Sequence, residues 1–521
     1  MRVLFIYPSI DCPPGVNHGL ASLSAVLKSA GHETSLIHVC ESLYPLPCSE
    51  KIIQRIREYD PGILGFSVMT QQYDWSCALV RDIRAAGIRT PIAIGGVHPT
   101  MVPEEVTESG LFDYIMVGEA EHPFLELVNR LERGEDPSRV PNLRLYRPGG
   151  RSIINPVGPF PALEGLPDMD WDLFDMARIL EVKKGWLSLL TSRGCPYKCT
   201  YCFNREIVDR YLEDGGARSA KEYLRHYPIA QVLREIDRIR EKNPTIRTII
   251  FDDDLFTLNR QYVLEFCEAY RKSGVGLPFV VNAHVQVFSD EMAAALKDAG
   301  CMIVKFGLES GSARVRREVL WRPMTNATIE RAFAAAHRVD LHTSAFVMFG
   351  LPTEGKAEVL ETLQLCARVK MGRFRWALFF PFPGTAAYTI AKDLALIDFD
   401  KMKRLGNYFD GTCLKFGGEY DLWLEKVGKV CNWWVNALSD WPSAKLYQRL
   451  VHEIEMLGRE AWNERKKTIL DEDRSISEDL LEKGIPHYSI RYSHVMGVHS
   501  DFVTEERKRS SKQPSVAYTL D

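Results

Sequence analysis

Three cysteines in one short segment are the residues of this sequence best suited to chemistry. Cys195, Cys199 and Cys202 are separated by three and then two residues. A [4Fe–4S] cluster is usually held by four thiolates, so three in one loop leave one iron open to a non-protein ligand. The alternative is a structural zinc site, but that site needs four ligands, and neither a second cysteine pair nor a histidine pair follows. The segment predicts an iron–sulfur cluster with one open position.

Two series of apolar strands and amphipathic helices are predicted to position this loop. Residues 186–393 contain six strand-like runs followed by helical stretches, which is typical of an incomplete eightfold βα barrel, and the cysteines follow the first run. Residues 1–135 contain five such runs and indicate a Rossmann-like, doubly wound parallel sheet. Both kinds of sheet bind ligands at the carboxyl ends of their strands.

The remaining segments differ in composition. Residues 136–185 are rich in Pro, Gly and Asp and are interpreted as a linker. Residues 394–503 are rich in helix formers and Trp, which predicts a helical C-terminal domain. Its aromatic residues either line a pocket or form the core of that domain, Tyr408, Phe409, Trp423, Trp433 and Trp434 among them. Residues 504–521 are polar and are expected to be disordered. The fold class is α/β throughout the first two domains.

The overall composition excludes several classes of protein. A chain of 521 residues is expected to form two or three domains, and 45% hydrophobic with 26% charged residues is ordinary for a globular protein. The net charge of −4 gives no electrostatic reason to expect a nucleic acid partner. No apolar run approaches the roughly 20 residues of a membrane span, and no signal cleavage site follows the first strand. We therefore expect a cytoplasmic, multidomain enzyme.

The cysteine segment resembles a known family. A CxxxCxxC loop with an aromatic residue, Tyr201, before the third cysteine is the signature of the radical S-adenosylmethionine (SAM) superfamily. The resemblance implies that the open iron binds SAM and that an electron from the cluster breaks its C–S bond to give a 5′-deoxyadenosyl radical. It also implies an electron donor such as flavodoxin or ferredoxin.

The similarity continues at the ends of the later barrel strands. In similar enzymes these ends hold SAM through a carboxylate at its amino group, a Glu-Ser pair near its ribose and methionine, and a glycine turn beside adenine. The SAM-binding residues that the resemblance implies are Tyr201, Phe203, Asp253, Asp254, Asn282, Glu309, Ser310, Phe349, Gly350 and Pro352. The alternatives are helix capping for Asp252–Asp254 and a plain strand-to-helix turn for Gly350 and Pro352.

The N-terminal domain looks like the cobalamin-binding domain fused to many of these enzymes. Glycines suit such a site because a side chain would hold the corrin or its nucleotide tail off the sheet edge. The implied cobalamin-binding residues are Ser67, Met69, Thr70, Gly95, Gly96, His98, Pro99, Gly118 and Glu119.

One departure from the cobalamin-domain pattern concerns cobalt. Domains that replace the cofactor's own base use an Asp-x-His-x-x-Gly motif, whereas Asp11–Gly15 here contains no histidine. Cobalamin, including methylcobalamin, would then be bound without a histidine on its lower face, or not bound at all. His98 is interpreted as a loop histidine near the tail, and His18 as a capping or packing residue.

Together these features resemble class B radical SAM methyltransferases, which are cobalamin-dependent. The resemblance implies methylation of an unactivated carbon in a small-molecule or natural-product substrate, and it identifies no catalytic residue beyond the cluster site. One alternative is a cobalamin-dependent rearrangement or cyclisation. Another is a methylthiotransferase, with a second cluster on Cys12, Cys40 or Cys48, and Cys77, although Cys77 lies in an amphipathic stretch like a packed thiol.

Overall fold

The structure is a computed structural model that describes residues 1–147, 152–405, 411–493 and 497–503. The predictions for 504–521 and for Tyr408 and Phe409 lie outside the described residues. The chain divides into two compact units. The first contains Met1–Leu255, Ser273–Leu277 and Phe382–Tyr388, and the second contains Phe256–Lys272, Pro278–Pro381 and Thr389–Asp521.

A seven-stranded sheet organises the N-terminal part of the first unit. Its strand order is β2-β1-β3-β4-β5-β6-β7, with the first five strands parallel and the last two antiparallel. The strands are β1 (Arg2–Pro8), β2 (Glu33–Val39), β3 (Ile63–Ser67), β4 (Ile92–Gly95), β5 (Tyr114–Met116), β6 (Leu143–Leu145) and β7 (Ile153–Ile154). The helices are α1 (His18–Ser29), α2 (Ser49–Tyr59), α3 (Tyr73–Ala85), α4 (Val97–Met101), α5 (Pro103–Glu108) and α6 (Glu121–Glu132).

The sequence explains this arrangement locally. β1 is an unbroken apolar run from Val3 to Ile6 that is fully buried, as expected for a central parallel strand covered on both faces. Asn17 caps α1 by accepting a hydrogen bond from the main chain of Leu20. The order 2-1-3-4-5 places a topological switch point between β1 and β3, where sheets of this kind bind ligands. The predicted Rossmann-like sheet is confirmed.

The segment interpreted as a linker contains regular structure. β6 pairs antiparallel with β5, and α7 spans Met176–Val182. β6 and β7 have only three and two residues, which is too short to show a periodicity in the sequence.

The six strands predicted for the partial barrel are present, two in the first unit and four in the second. In the first unit β8 pairs with β11, and in the second unit β12 to β15 pair in chain order. The strands are β8 (Trp186–Leu189), β11 (Thr248–Phe251), β12 (Phe279–Ala283), β13 (Cys301–Glu309), β14 (His342–Phe349) and β15 (Arg373–Leu378), with the short pair β9 (Ser192–Arg193) and β10 (Arg225–His226). The helices are α8 (Phe203–Glu213), α9 (Ile229–Lys242), α10 (Arg260–Ser273), α11 (Asp290–Asp298), α12 (Asn326–Arg338) and α13 (Lys356–Val369).

The C-terminal region is mostly helical, as predicted, but it ends in a hairpin that was not expected. Its helices are α14 (Ala386–Asp393), α15 (Phe399–Arg404), α16 (Gly418–Lys429), α17 (Cys431–Ala437), α18 (Ala444–Glu455), α19 (Arg459–Arg465) and α20 (Ile469–Glu482). The hairpin strands are β16 (His487–Ser493) and β17 (Gly497–Val503), and β17 pairs antiparallel with β15. Buried polar residues such as His487, Ser489 and Ser500 hide the alternating pattern by which a strand is recognised.

The tryptophans of this region are interior residues. Trp433 and Trp462 are fully buried, and the indole of Trp433 donates a 2.8 Å hydrogen bond to Asp473. Trp423 and Trp434 are also buried, which places all four in the core of the helical region. None of the described helices has the length and apolar character required to span a membrane.

Candidate functional site

The cysteine loop is held by two aspartates at the end of β11. The Asp253 carboxylate accepts hydrogen bonds from the main chain and hydroxyl of Thr191, at 3.0 and 2.9 Å, and from the Ser192 hydroxyl at 2.5 Å. Asp254 accepts a 3.2 Å bond from the Gly194 main chain. Burial raises the pKa of Asp253 to about 6 despite these bonds. The two predicted SAM residues therefore fix three of the four residues that precede Cys195.

The three thiols share one electrostatic environment. Cys199 is buried, and Cys195 and Cys202 are half-buried. Burial, together with the nearby Cys199, Asp254 and Cys195, raises the pKa of Cys202 to about 12. A bound iron removes this penalty by taking the thiolate as its ligand. The donor set of three neighbouring thiols in one fixed loop fits an iron–sulfur cluster.

No three His, Cys, Asp or Glu side chains converge on a single metal position within the described parts of the chain. A [4Fe–4S] cluster does not require its ligands to converge on one point, because each cysteine binds a different iron of the cube.

A cavity of about 340 Å³ lies at the carboxyl ends of β3, β4 and β5 in the first unit. Six of the nine predicted cobalamin residues line it: Ser67, Met69, Gly95, Gly96, Gly118 and Glu119. Thr70, His98 and Pro99 do not. Sequence reasoning missed Asn17, which lines the cavity and donates a 3.0 Å hydrogen bond to the Ser67 hydroxyl. The polar residue before an apolar helical run was the available signal for it, as a helix cap.

Two of these glycines have a further structural reason, beyond the predicted room for the corrin or its nucleotide tail. Gly96 has φ +101° and ψ −167°, and a Cβ there would lie 2.7 Å from the main-chain nitrogen of Val68. Gly118 has φ +79°, and its Cβ would lie 2.5 Å from the Tyr211 hydroxyl oxygen. Both glycines thus permit close packing inside the protein. Tyr211 belongs to α8, which follows Cys202, and its hydroxyl accepts a 2.9 Å bond from the Glu119 main chain.

A network of buried charges joins the cavity to the cysteine loop. Arg193 pairs with Glu121 at 2.6 Å and with Glu119 at 3.0 Å, and it donates a 3.2 Å bond to the Ser22 hydroxyl. Glu119 also pairs with Arg225. Burial disfavours the charge on Arg193, but Glu121, Tyr227 and Glu119 outweigh it and raise the pKa of Arg193. Arg193 lines the cavity and stands two residues before Cys195.

Each of the two candidate histidines has one ring nitrogen near a hydrogen-bonding group. His98 is buried and packs against Tyr73 with tilted rings whose centroids are 4.1 Å apart. Its Nδ1 lies 3.3 Å from the Thr70 hydroxyl, while its buried Nε2 has no hydrogen-bond partner among the described residues. Burial lowers the pKa of His98 to about 4. His18 Nε2 lies 3.2 Å from the main-chain oxygen of Ser188. Neither side chain lines the cavity.

The second unit contains the other predicted SAM residues at its strand ends. Glu309 ends β13 with φ +64°, a left-handed conformation unusual outside glycine. The main-chain oxygen of Ser310 accepts a 2.6 Å bond from the buried Arg316. Asn282 lies in β12, Phe349 ends β14, and Gly350 follows with φ +72° and Pro352 two residues on.

A buried glutamate that the sequence did not single out shapes the glycine turn. The Glu354 carboxylate accepts bonds from the main chains of Gly350 at 2.7 Å and Leu351 at 3.1 Å. Burial raises the pKa of Glu354 to about 8. The Glu354 side chain therefore fixes the main chain of the turn after β14.

The cysteines of the methylthiotransferase alternative are differently placed. Cys77 packs in the apolar core of the N-terminal sheet, and Cys40 is also buried. Cys12 is half-buried and accepts a 3.3 Å bond from Gln72. A second cluster on Cys77 would require this core to open.

Both sites lie in segments of the chain that match known protein families. The B12-binding domain profile matches residues 13–128, and the radical SAM superfamily profile matches residues 189–366. An uncharacterized methyltransferase of Pyrococcus horikoshii is 25% identical over 76% of this chain and 84% of its own. An anaerobic magnesium-protoporphyrin IX monomethyl ester cyclase of Rubrivivax gelatinosus is 24% identical over 77% of this chain and 72% of its own.

The fold is also that of a solved enzyme. TsrM from Kitasatospora setae, a radical SAM methyltransferase solved with cobalamin and a [4Fe–4S] cluster, superposes with a TM-score of 0.62 at 18% identity over 76% of this chain and 75% of its own. The chain thus matches a B12-binding domain followed by a radical SAM domain. These two domain matches support a [4Fe–4S] cluster, SAM and cobalamin as the cofactors.

Proposed function

We propose that this enzyme methylates an unactivated carbon of a small-molecule substrate, with an electron donor such as flavodoxin or ferredoxin. The observation that carries the proposal is that the cobalamin cavity and the cysteine loop belong to one compact unit and share Arg193. The Pyrococcus horikoshii relative is named a methyltransferase, which favours methyl transfer. The Rubrivivax gelatinosus relative is named a cyclase, so ring formation is the second candidate.

The residue roles follow from the two units taken separately. In the first unit Cys195, Cys199 and Cys202 hold the cluster, with Tyr201, Phe203, Asp253 and Asp254 beside it for SAM. In the second unit Asn282, Glu309, Ser310, Phe349, Gly350 and Pro352 are the SAM residues, with the turn held by Glu354. Ser67, Met69, Gly95, Gly96, Gly118 and Glu119 receive cobalamin, while Thr70, His98 and Pro99 support that loop from outside the cavity.

When bound, the cluster and SAM supply the 5′-deoxyadenosyl radical and cobalamin supplies the methyl group. The protein's part is to position them. Asp253 fixes Thr191 and Ser192 and thereby the start of the cysteine loop. Arg193 fixes the same loop against Glu119 and Glu121 at the cavity. Such positioning keeps a reactive radical close to its target and away from side reactions.

The volume and position of the cavity suit the nucleotide tail of cobalamin rather than its corrin. The tail would enter between β3 and β4 and the helices α1 and α6, which contribute Leu20, Leu23 and Phe124. The corrin would then lie at the strand ends. Neither the cavity lining nor the Asp11–Gly15 loop contains a histidine, which supports cobalamin bound without a histidine on its lower face.

We therefore expect bound cob(II)alamin to show an electron paramagnetic resonance spectrum without nitrogen superhyperfine splitting. Neither His98 nor His18 lines the cavity. His98 is the first histidine to test, because its buried Nε2 has no hydrogen-bond partner among the described residues. The His98→Ala variant should leave the spectrum unchanged. A nitrogen-split spectrum that disappears in this variant would contradict the assignment.

Replacing Gly96 by Ala should impair methyl transfer selectively. The new Cβ would meet the Val68 main chain at 2.7 Å in a backbone conformation that is essentially restricted to glycine. We expect cobalamin affinity and S-adenosylhomocysteine formation to fall at least about tenfold, corresponding to roughly 1.4 kcal/mol. The formation of 5′-deoxyadenosine, which depends on the cysteine loop, should change less than about twofold.

Gly31→Ala is the matched control. Gly31 also has positive φ, at +87°, but a Cβ there meets nothing within 4 Å. This variant carries the conformational cost of about 1–2 kcal/mol without the clash. Equal losses of the two products in Gly96→Ala, or equal effects of the two variants, would contradict the proposed role of the cavity.

A further inference from the structure

The cavity of the first unit continues away from the strand ends as an apolar slot, formed by Phe5, Leu23, Gly65, Ala93 and Phe124. Phe5, Gly65 and Ala93 are register partners on the adjacent strands β1, β3 and β4. Ser67 and Gly95 form the corresponding pair at the strand ends. Two residues separate the rows along each strand, so the slot reaches about 7 Å into the domain.

Gly65 makes room for the aromatic rings that close one side of the apolar slot. A Cβ on Gly65 would lie 2.9 Å from the Phe5 ring and 3.6 Å from the Phe124 ring. The two phenyl rings have centroids 6.1 Å apart. Leu23 contributes from α1. The space is therefore suited to a flat, apolar ring system.

The apolar slot offers no hydrogen-bonding side chain. Phe5, Leu23, Gly65, Ala93 and Phe124 carry neither nitrogen nor oxygen in their side chains. Phe5, Gly65 and Ala93 lie within parallel ladders, where main-chain N–H and C=O groups bond between strands. Polar side chains, among them Ser67, Asn17 and Glu119, line the cavity elsewhere.

We propose that the apolar slot selects the lower base of the corrinoid, accepting a benzimidazole and rejecting a purine. This inference rests on the proposed function, in which the cavity holds the nucleotide tail. Dimethylbenzimidazole presents methyl groups and one ring nitrogen beyond its bond to ribose. Adenine adds an exocyclic amine and two ring nitrogens, which would lose water without gaining a partner. One such unpaired group weakens binding at least about fivefold, and three make a loss of tenfold or more the expected result.

The test compares three corrinoids on the full-length, cluster-reconstituted protein. Cobalamin, the cobamide with adenine as lower base, and cobinamide, which lacks the tail, are titrated by equilibrium dialysis and absorbance. We expect cobalamin to bind at least about tenfold more tightly than the adenine cobamide. Cobinamide should also bind more weakly than cobalamin, because it leaves the slot empty.

The contrary outcomes are distinguishable. Equal affinities for the two cobamides, both above cobinamide, would overturn base selection while leaving the cavity assignment intact. Equal affinities for cobalamin and cobinamide would overturn placement of the tail in the slot. If none of the corrinoids binds, the proposed function fails and the selection fails with it.

Variants of the slot distinguish a loss of affinity for the lower base from a general loss of folding. Ala93→Val narrows the slot. It should lower the affinity for cobalamin at least about tenfold while changing the affinity for cobinamide less than about twofold. Ala25→Val, in the buried part of α1 outside the cavity, is the matched control and should change neither. Leu23 is half-buried, and Leu23→Asn adds a hydrogen-bonding group to the slot. This variant should reduce the difference in affinity between cobalamin and the adenine cobamide. An equal loss of cobinamide in Ala93→Val, or an unchanged gap in Leu23→Asn, would overturn the proposal.

Discussion

Replacing Cys195, Cys199 and Cys202 together by Ala should remove nearly all iron from anaerobically reconstituted protein, from about four atoms per chain to about none. The three thiols belong to one loop, and the neighbouring charges at Cys202 show that they share one environment. Cys267, Cys301 and Cys366 are not expected to replace them, because each is buried in the core. Formation of 5′-deoxyadenosine should fall to background in the same variant.

The matched control is the triple replacement of Cys267, Cys301 and Cys366 by Ala. It removes the same number of thiols from buried positions outside the loop. Iron content should remain near four, although the core changes lower stability. Iron retained after loss of Cys195, Cys199 and Cys202 would contradict the ligand assignment, and about eight irons in the unmodified protein would favour a methylthiotransferase with a second cluster.

Replacing Arg193 by Gln should destabilise the first unit by about 3–5 kcal/mol, because it leaves the buried Glu121 carboxylate without its ion-pair partner. Glu121 has a side chain only 4% exposed and loses its 2.6 Å ion pair. Glu119 keeps Arg225. We expect urea denaturation of the apoprotein to show a free energy of unfolding that is lower by this amount. The affinity for cobalamin should also fall, because both glutamates line the cavity.

Two further variants test this explanation. Arg338→Gln breaks an exposed ion pair with Asp290 and should cost no more than about 1 kcal/mol. The double change Arg193→Gln with Glu121→Gln removes the unpaired charge and should recover part of the lost stability. If Arg193→Gln costs as little as Arg338→Gln, the network does not join the cysteine loop to the cavity energetically.

Local sequence patterns predicted the two α/β domains because parallel strands leave strong signals. The apolar runs of β1 and β11 and the loop after β8 are continuous in the sequence. The hairpin β16–β17 was missed since its buried residues include His487 and Ser500. Short β6 and β7 were missed because a strand of two or three residues has no measurable period.

Long-range contacts account for the site features that the sequence did not reveal. Glu119 and Arg193 are far apart in the chain, and nothing local indicates that they pair at 3.0 Å. Glu354 was missed because an isolated glutamate near a turn is usually solvated, whereas here it is buried beneath Gly350. The packing role of Gly96 was not visible in the sequence because the close approach of Val68 depends on strand pairing.

The most direct test of the proposed methyl transfer is to follow the fate of SAM during turnover. The reaction contains the methyl-accepting substrate, a reductant and SAM labelled in its methyl group. A radical site yields 5′-deoxyadenosine and a methyl-transfer site yields S-adenosylhomocysteine, so an enzyme that uses both must consume one SAM for each. We predict that the two products form in near-equal amounts, matched by product that carries the labelled methyl. Product with 5′-deoxyadenosine but without S-adenosylhomocysteine and without labelled methyl would contradict methyl transfer and point to cyclisation or rearrangement.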